Sequence, residues 1–227
     1  MANIKIKEIN ILPHRSLMPK IGQTGYSVLQ AISELVDNSI DAREDGKALT
    51  VEIFFDSGKG MVEISDDGVG MDEQTATNSM KLAHSTKKNK LGEFGLGLKT
   101  AATSLGKNFQ IATTQKGSNE EYIIEYDEEK WLKSGDWTKH EMKIKSGVDK
   151  RRSGTTIRIK DLHFKHYGNL PGNIRKDLAN RFAPFIENGE VKIKVNTKWC
   201  EPEPLDLKTE YYPEADGKEP FCLKLES

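Results

Sequence analysis

Three polar side chains recur at helical spacing within residues 26–42. Glu34, Asn38 and Asp41 occupy positions i, i+4 and i+7, so they fall on one side of the predicted helix while apolar residues fill the other. A carboxylate can orient or deprotonate water, and an amide oxygen is a suitable ligand for Mg²⁺. The helix therefore offers a candidate base and a candidate metal ligand one turn apart. A solvated polar face is the simpler interpretation of this stretch alone.

A second candidate is the carboxylate of Asp66. It continues the alternation of Val62 and Ile64, which places it on the apolar face of a predicted strand where the strand stops. Gly68 and Gly70 follow and let the backbone turn sharply and approach another group closely. Asp66 could accept a hydrogen bond from the exocyclic amine of adenine, with the glycines admitting the flat ring. A turn without any ligand explains DDGVG equally well on its own.

The stretch GEFGLGLKT, residues 92–100, nearly spells a phosphate-binding P-loop. Gly92 and Gly97 have the P-loop separation, but Leu98 moves Lys99 one position too far. A cationic loop, HSTKKNK, precedes it instead of a strand. We therefore predict glycine amides at a helix N-terminus, where anions bind, with the lysine adding positive charge. Packing or capping alone would also account for such glycines.

Taken together, ELVDNSIDA, DDGVGM, GEFGLGLKT and GTTIRI resemble, in this order, the four motifs of the GHKL ATPases. That superfamily includes type II topoisomerases, ninety-kilodalton heat-shock chaperones, histidine kinases and MutL mismatch-repair proteins, with the MORC-type chromatin ATPases as close relatives. The resemblance covers residues 26–159 and favours MORC-, MutL- or chaperone-type members. It implies an α+β Bergerat fold, a mixed and mostly antiparallel sheet layered against helices, with ATP held under a flexible lid.

The resemblance also implies a role for each matching residue. Glu34 matches the catalytic base, Asn38 the ligand of Mg²⁺, and Asp66 the adenine-binding aspartate, while HSTKKNK matches the ATP lid. The residues that the resemblance assigns to nucleotide binding are Asn38, Asp41, Ala42, Asp66, Gly68, Gly70, Met71, Ser85, Thr86, Gly92, Phe94, Gly95, Leu96, Gly97, Leu98, Lys99 and Thr155.

One branch of the superfamily is disfavoured. Histidine kinases usually follow the asparagine with A-x-K rather than S-x-D-A, and they lack the hydrolytic glutamate, so we expect ATP hydrolysis and not protein phosphorylation. Hydrolysing members usually borrow a lysine or arginine from a following transducer domain, so slow turnover is expected here. A nucleotide sensor without catalysis remains an alternative. A nucleic-acid-binding module that uses the basic segments 87–90 and 150–152 is a third, less favoured one.

The sequence predicts three parts: an N-terminal arm (1–22), the ATP-binding domain (23–200) and a C-terminal extension or linker (201–227) towards an absent following domain. The arm is interpreted either as an exchange segment of an ATP-dependent homodimer or as an edge strand with a loop. Predicted helices span residues 26–42, 98–105 and 174–186. Predicted strands span residues 51–55, 62–66, 109–113, 122–126, 137–144, 155–159 and 191–195.

Bulk composition restricts the partners of the chain. With 34 basic and 35 acidic residues, its formal net charge is −1, so no overall field draws it to nucleic acid or membrane. No apolar run approaches the roughly 20 residues of a membrane span. We therefore expect a cytoplasmic protein whose ligands are ATP, ADP and Mg²⁺, with DNA or protein clients reached through absent domains.

Overall fold

The computed structural model describes residues 7–9, 11–23, 25–82, 96–165 and 169–203. Within these ranges the helices are α1 (Leu17–Gln23), α2 (Val28–Asp41), α3 (Glu73–Ser79), α4 (Gly97–Leu105), α5 (Glu128–Ser134), α6 (Leu170–Arg181) and α7 (Ala183–Glu187). The strands are β1 (Leu49–Asp56), β2 (Met61–Asp66), β3 (Gly106–Thr114), β4 (Glu120–Asp127), β5 (Met142–Ser146), β6 (Gly154–Leu162), β7 (Val191–Val195) and β8 (Lys198–Trp199).

All eight strands belong to one sheet in the order β5-β4-β3-β6-β2-β1-β7-β8. Its pairs are antiparallel except for β1 with β7, which run parallel. The mixed, mostly antiparallel sheet confirms the α+β class expected from the sequence. Strand β6 lies between β3 and β2 in the sheet. The start of β6 therefore lies beside the end of β2, although the two strands are far apart in sequence.

The helices cover one face of this sheet. In β1, Val51, Ile53 and Phe55 are buried beneath them, while Glu52 and Phe54 on the alternate positions are exposed. Helices α2 and α4 pack against each other above the sheet, and α6 packs beside β7. No helix in the described part of the chain has the length and apolar character needed to cross a membrane.

Helix α2 begins with a capping box. The Ser27 hydroxyl accepts from the backbone N–H of Gln30, whose side chain accepts from the backbone N–H of Ser27. Its apolar side is fully buried, with Leu35 and Val36 at 0% exposure. Its other side carries polar residues, as the sequence predicts.

Helix α1 joins part of the predicted N-terminal arm to the domain. The Ser104 hydroxyl of α4 donates to the carbonyl oxygen of Gly22 at 2.8 Å. A Cβ atom on Gly22 would lie 2.5 Å from the backbone of Thr103, so the two backbones touch where the helices cross. The edge-strand interpretation of the arm is wrong for residues 17–22, which lie in α1; the exchange role remains a prediction.

Two further short helices, α3 and α5, were not predicted from the sequence. The side chain of Asp72 caps α3 by accepting from the N–H of Thr75 at 2.7 Å. The side chain of Asp127 likewise caps α5 by accepting from the N–H of Lys130 at 2.8 Å. In both cases an aspartate before an acidic first turn is the sequence signal of a helix start.

Two predicted elements differ from the structure by more than a shift of their ends. The single helix expected over residues 174–186 is two helices that meet at Phe182, because Pro184 in the first turn of α7 has no N–H to continue the ladder of α6. The strand expected over residues 137–144 begins only at Met142, since Asp136 and Lys139 form an isolated bridge in a turn before it.

Candidate functional site

A cavity of about 360 Å³ lies between α2, α3 and α4 and the ends of β2 and β6. It gathers residues from all four motifs that the sequence singled out. The predicted site residues on its wall are Glu34, Asn38, Asp41, Ala42, Asp66, Gly70, Met71, Gly97, Leu98, Lys99 and Thr155. Leu35, Val69 and Ile157 add apolar surface suited to a flat ring.

Asp66 marks one end of the cavity and is held by three donors. Its Oδ1 accepts from the backbone N–H groups of Gly68 and Thr155, both at 3.1 Å. Its Oδ2 accepts from the Ser39 hydroxyl at 3.0 Å. Burial raises the pKa of Asp66 to about 6, although these three hydrogen bonds act to lower it. The result is a fixed carboxylate inside a mostly apolar cavity.

Glycines near Asp66 serve close contacts between backbone segments. A Cβ atom on Gly70, where φ is +68°, would lie 2.0 Å from the carbonyl oxygen of Thr114. A Cβ atom on Gly154, where φ is +120°, would lie 2.0 Å from the carbonyl oxygen of Asp66. A Cβ atom on Gly68 would likewise lie 2.6 Å from the carbonyl oxygen of Ala42. Backbone thus occupies the space that a side chain would need, which gives Gly68 and Gly70 a structural reason, while their part in admitting a ring stays a prediction.

Thr155 is joined to a residue that the sequence did not single out. Its hydroxyl lies 3.0 Å from that of Thr113, and both side chains are buried. The Thr113 hydroxyl also accepts from the N–H of Met71 at 2.9 Å. These hydrogen bonds tie the ends of β3 and β6 to the segment after β2. No local pattern around Thr113 indicates this, because its partners are about 42 residues away.

The polar face of α2 supplies the middle of the cavity wall. The amide nitrogen of Asn38 donates to the backbone carbonyl of Glu34 at 2.7 Å and lies 3.5 Å from Glu34 Oε1. Because the nitrogen is turned towards Glu34, the amide oxygen is the atom suited to a metal ion. No cluster of three metal-binding side chains occurs among the described residues. A single oxygen ligand still fits Mg²⁺, which commonly binds through one or two protein groups plus substrate phosphates and water.

Lys99 belongs to α4, which starts beside Glu34, whereas Asp66 accepts from Ser39 further along α2, so we infer that the two lie at opposite ends of the cavity. Its side chain is 3% exposed, and its ammonium group donates to the carbonyl oxygen of Ser79 at 2.7 Å. Burial lowers the pKa of Lys99 to about 8. Helix α4 begins two residues earlier, at Gly97, and its N-cap residue Leu96 provides no side-chain hydrogen bond to the first turn. Leu96 itself is exposed and lies off the cavity wall.

Helix α3 contributes residues to the cavity wall that the sequence motifs did not indicate. Gln74, Thr75, Asn78 and Ser79 line the cavity, and the Asn78 Oδ1 is buried without a hydrogen-bond partner in the described structure. A buried acceptor of this kind is costly unless a donor reaches it. An N–H or O–H group of a ligand in the cavity could supply that donor. The capping signal at Asp72 could have revealed the helix, and with it these residues.

The predicted ATP lid, HSTKKNK, lies wholly outside the described residues, and so do five predicted nucleotide contacts. They are Ser85, Thr86, Gly92, Phe94 and Gly95. Their roles remain predictions.

Comparison with known families agrees with this geometry. The sequence profile described as "Histidine kinase-, DNA gyrase B-, and HSP90-like ATPase" matches residues 26–155, which is more than half of the chain. The chain belongs to the GHKL ATPase family. The matched range includes α2, β2 and α4 and ends at Thr155, so it contains every residue of the cavity wall named above except Ile157.

Individual relatives in the GHKL family include MORC and MutL proteins. The chain is 37% identical to ATPase morc-1 of Caenorhabditis elegans over 95 residues, 41% of this chain and 11% of that protein. It is 32% identical to the DNA mismatch repair protein MutL of Endomicrobium trichonymphae over 167 residues, 69% of this chain and 25% of that protein. It is 32% identical to ATPase MORC2 of Homo sapiens over 95 residues, 38% of this chain and 9% of that protein.

These matches confirm the expected MORC- and MutL-type resemblance. The chain spans a quarter or less of the length of each relative.

Proposed function

We propose that this GHKL domain binds ATP together with Mg²⁺ and hydrolyses the ATP to ADP and phosphate. The observation that carries the proposal is the placement of Asp66, Asn38, Glu34 and Lys99 along one cavity. An adenine acceptor, a metal ligand, a base and a cation are the four groups that a Mg²⁺-dependent ATPase needs. Membership in the family supports the same assignment.

Asp66 would define the adenine end of the cavity. Three donors already use its two oxygens, and Oδ2 receives only the Ser39 hydroxyl, so this oxygen has capacity for the exocyclic amine. The apolar side chains of Val69, Met71 and Ile157 would flank the ring. Binding of this kind needs the ionised carboxylate, so we expect ATP affinity to fall as the pH drops through about 6.

Glu34 and Asn38 would serve the phosphate chemistry. Mg²⁺ bound with ATP neutralises phosphate charge, and the amide oxygen of Asn38 would hold it. The Glu34 carboxylate would accept a proton from water as the water oxygen bonds to the γ-phosphorus and the bond from that phosphorus to the ADP oxygen breaks. Lys99 would stabilise charge on the phosphates after leaving the Ser79 carbonyl.

The test replaces Glu34 with glutamine, which keeps the shape of the side chain and removes its basicity. We expect Glu34→Gln to bind ATP with wild-type affinity by calorimetry and to release phosphate at least about 100-fold more slowly. Glu52→Gln is the matched control, since Glu52 is exposed on the other face of the sheet and pairs with Lys194. Equal phosphate release by wild type and Glu34→Gln would reject Glu34 as the base. Tight binding with no release by either protein would favour the non-catalytic sensor.

We also propose that the nucleotide state of this domain controls lid closure and dimerisation of a larger protein. The greater length of its relatives supports this, as do Ile9 and Ile11, which are 75% and 85% exposed in the N-terminal segment. Light scattering with a non-hydrolysable ATP analogue should show a dimer that Ile9→Ser/Ile11→Ser abolishes. Persistence of the dimer in that variant would exclude these side chains from the interface.

DNA or protein clients would bind through parts of the larger protein that this chain lacks. Direct binding of nucleic acid by the basic segment 150–152 is less favoured, because the guanidinium of Arg151 is already paired with Asp149 at 2.7 Å.

A further inference from the structure

Gly97 differs from Gly70 and Gly154, the glycines near Asp66, in what an added Cβ atom would touch. A Cβ atom on Gly97 would lie 1.7 Å from Oε1 of Glu34, 2.6 Å from its Cδ and 3.3 Å from its Cγ. The same atom on Gly70 or Gly154 would instead overlap a backbone carbonyl. The carboxylate of Glu34 therefore rests directly on the α-carbon at the first position of α4.

No other feature at this position requires a glycine. Positive φ angles occur at Gly70 and Gly154 but not at Gly97, so any residue could adopt its backbone conformation. Alanine is the better residue for a helix by up to about 1 kcal/mol. The Glu34 side chain is the nearest group that an added methyl would meet.

The geometry points to Gly97 as a positioning residue for Glu34. Its bare α-carbon forms the surface against which the carboxylate is placed, and any side chain there moves the carboxylate away from the start of α4. This inference rests on the proposed function, because the position of Glu34 matters for turnover only if Glu34 is the base. It assigns to Gly97 a task distinct from leaving a backbone amide open to phosphate.

The experiment is Gly97→Ala. Because the methyl meets the end of a flexible side chain and not backbone, the domain should fold with a melting temperature close to that of the wild type. The carboxylate must shift by more than 1 Å to restore an ordinary contact. A displacement of that size reduces turnover roughly 10- to 100-fold. Gly25→Ala is the matched control, since no atom lies within 4 Å of its added Cβ, and its turnover should equal that of the wild type.

Calorimetry with a non-hydrolysable ATP analogue separates positioning from phosphate access. If Gly97 positions Glu34, affinity stays within about twofold while kcat falls. If Gly97 only makes room for phosphate, affinity falls, and it falls equally when Glu34 is alanine. The second result would overturn the inference.

A double-mutant comparison gives an independent readout. Glu34→Asp shortens the side chain and withdraws the carboxylate from the Gly97 contact. We expect the Gly97→Ala/Glu34→Asp protein to turn over no more slowly than the slower single variant, because residues in contact are not additive. Fully additive losses would contradict the contact. Unchanged turnover of Gly97→Ala would reject this inference alone, whereas absence of hydrolysis by the wild type would reject the proposed function and this inference with it.

Discussion

The two ends of the cavity are built from different kinds of contact. At the Asp66 end, backbone meets backbone: Gly70 and Gly154 lie against carbonyl groups, and two backbone N–H groups hold the carboxylate. At the other end, side chains make the contacts, with Lys99 on a carbonyl oxygen and Glu34 on the α-carbon of Gly97. A methyl group added to Gly70 or Gly154 would meet backbone, which can move only if the strands move. The side chains of Glu34 and Lys99 can instead rotate about their own bonds.

Under the proposed function, this difference separates recognition of the base from the chemistry at the phosphates. The Asp66 end is fixed before any ligand arrives, which favours selection of one base by hydrogen bonds. The side chains of Glu34 and Lys99 can rearrange when a ligand binds, as the proposed phosphate site requires, because the Lys99 ammonium is engaged by the Ser79 carbonyl. Substitutions at the two ends should therefore differ in how much they change the free energy of unfolding and how much they change ligand affinity.

The largest expected effect comes from Gly154→Ala, which forces a methyl group into the carbonyl of Asp66. We expect the free energy of unfolding to fall by about 4 kcal/mol or more, because backbone overlap adds to the strain of a positive φ. Gly46→Ala is the control: its φ is +75°, and no atom lies within 4 Å of the added Cβ, so it should cost only about 1–2 kcal/mol. Urea unfolding measures both. Equal losses would show that the overlap relaxes freely and that this end is not rigid.

Asp66→Asn should separate binding from stability. In the wild type the folded-state pKa of Asp66 is about 6, above its ordinary value, so ionisation of Asp66 opposes folding above pH 6 and ceases to do so below about pH 4. Asparagine removes this cost. Its oxygen can still accept from Gly68 and Thr155, and its nitrogen can donate to Ser39.

The free energy of unfolding of the empty Asp66→Asn domain at pH 7 should therefore rise, by at most about 3 kcal/mol. Its ATP affinity should fall about 100-fold, since the free acceptor oxygen has become a donor. Unfolding from pH 4 to 8 and calorimetry measure the two effects. A stability gain that persists at pH 4 would contradict the role of the buried charge.

The smallest expected effect is that of Lys99→Met at the opposite end. Methionine retains the buried stem and removes the ammonium, so the empty domain should lose little or no stability. ATP affinity should fall about tenfold, while adenosine affinity should stay the same, because adenosine carries no phosphate.

Wild-type ATP affinity should also decrease as the pH rises through about 8, where Lys99 loses its proton, and Lys99→Met should lack this decrease. The exposed Lys107→Met is the matched control. Equal losses for ATP and adenosine would place Lys99 outside the phosphate end.

Local patterns were sufficient for the elements that carry the candidate chemistry. The 3.6-residue period placed Glu34 and Asn38 on one face of α2, and the alternation of β2 placed Asp66 at its end. These predictions succeed because burial of one face fixes the orientation of every residue on it.

The remaining features depend on contacts between distant segments. The Ser39 hydroxyl bonds to Asp66 across 27 residues, and Thr113 bonds to Thr155 only because β6 pairs with β3. Lys99 is buried because α3, a helix of seven residues, supplies the carbonyl of Ser79. Neither periodicity nor spacing encodes such pairings.

The crossing of α1 and α4 gives the domain a mechanical link. Since the backbone of Gly22 touches that of Thr103 and the Ser104 hydroxyl donates to the Gly22 carbonyl, a shift of α1 would break these contacts unless α4 moved with it. The first turn of α4 bears both the contact with Glu34 and the start of the Lys99 side chain. A displacement of α1 that kept these contacts would therefore shift the end of the cavity where the proposed chemistry takes place, and a rearrangement there would act on α1.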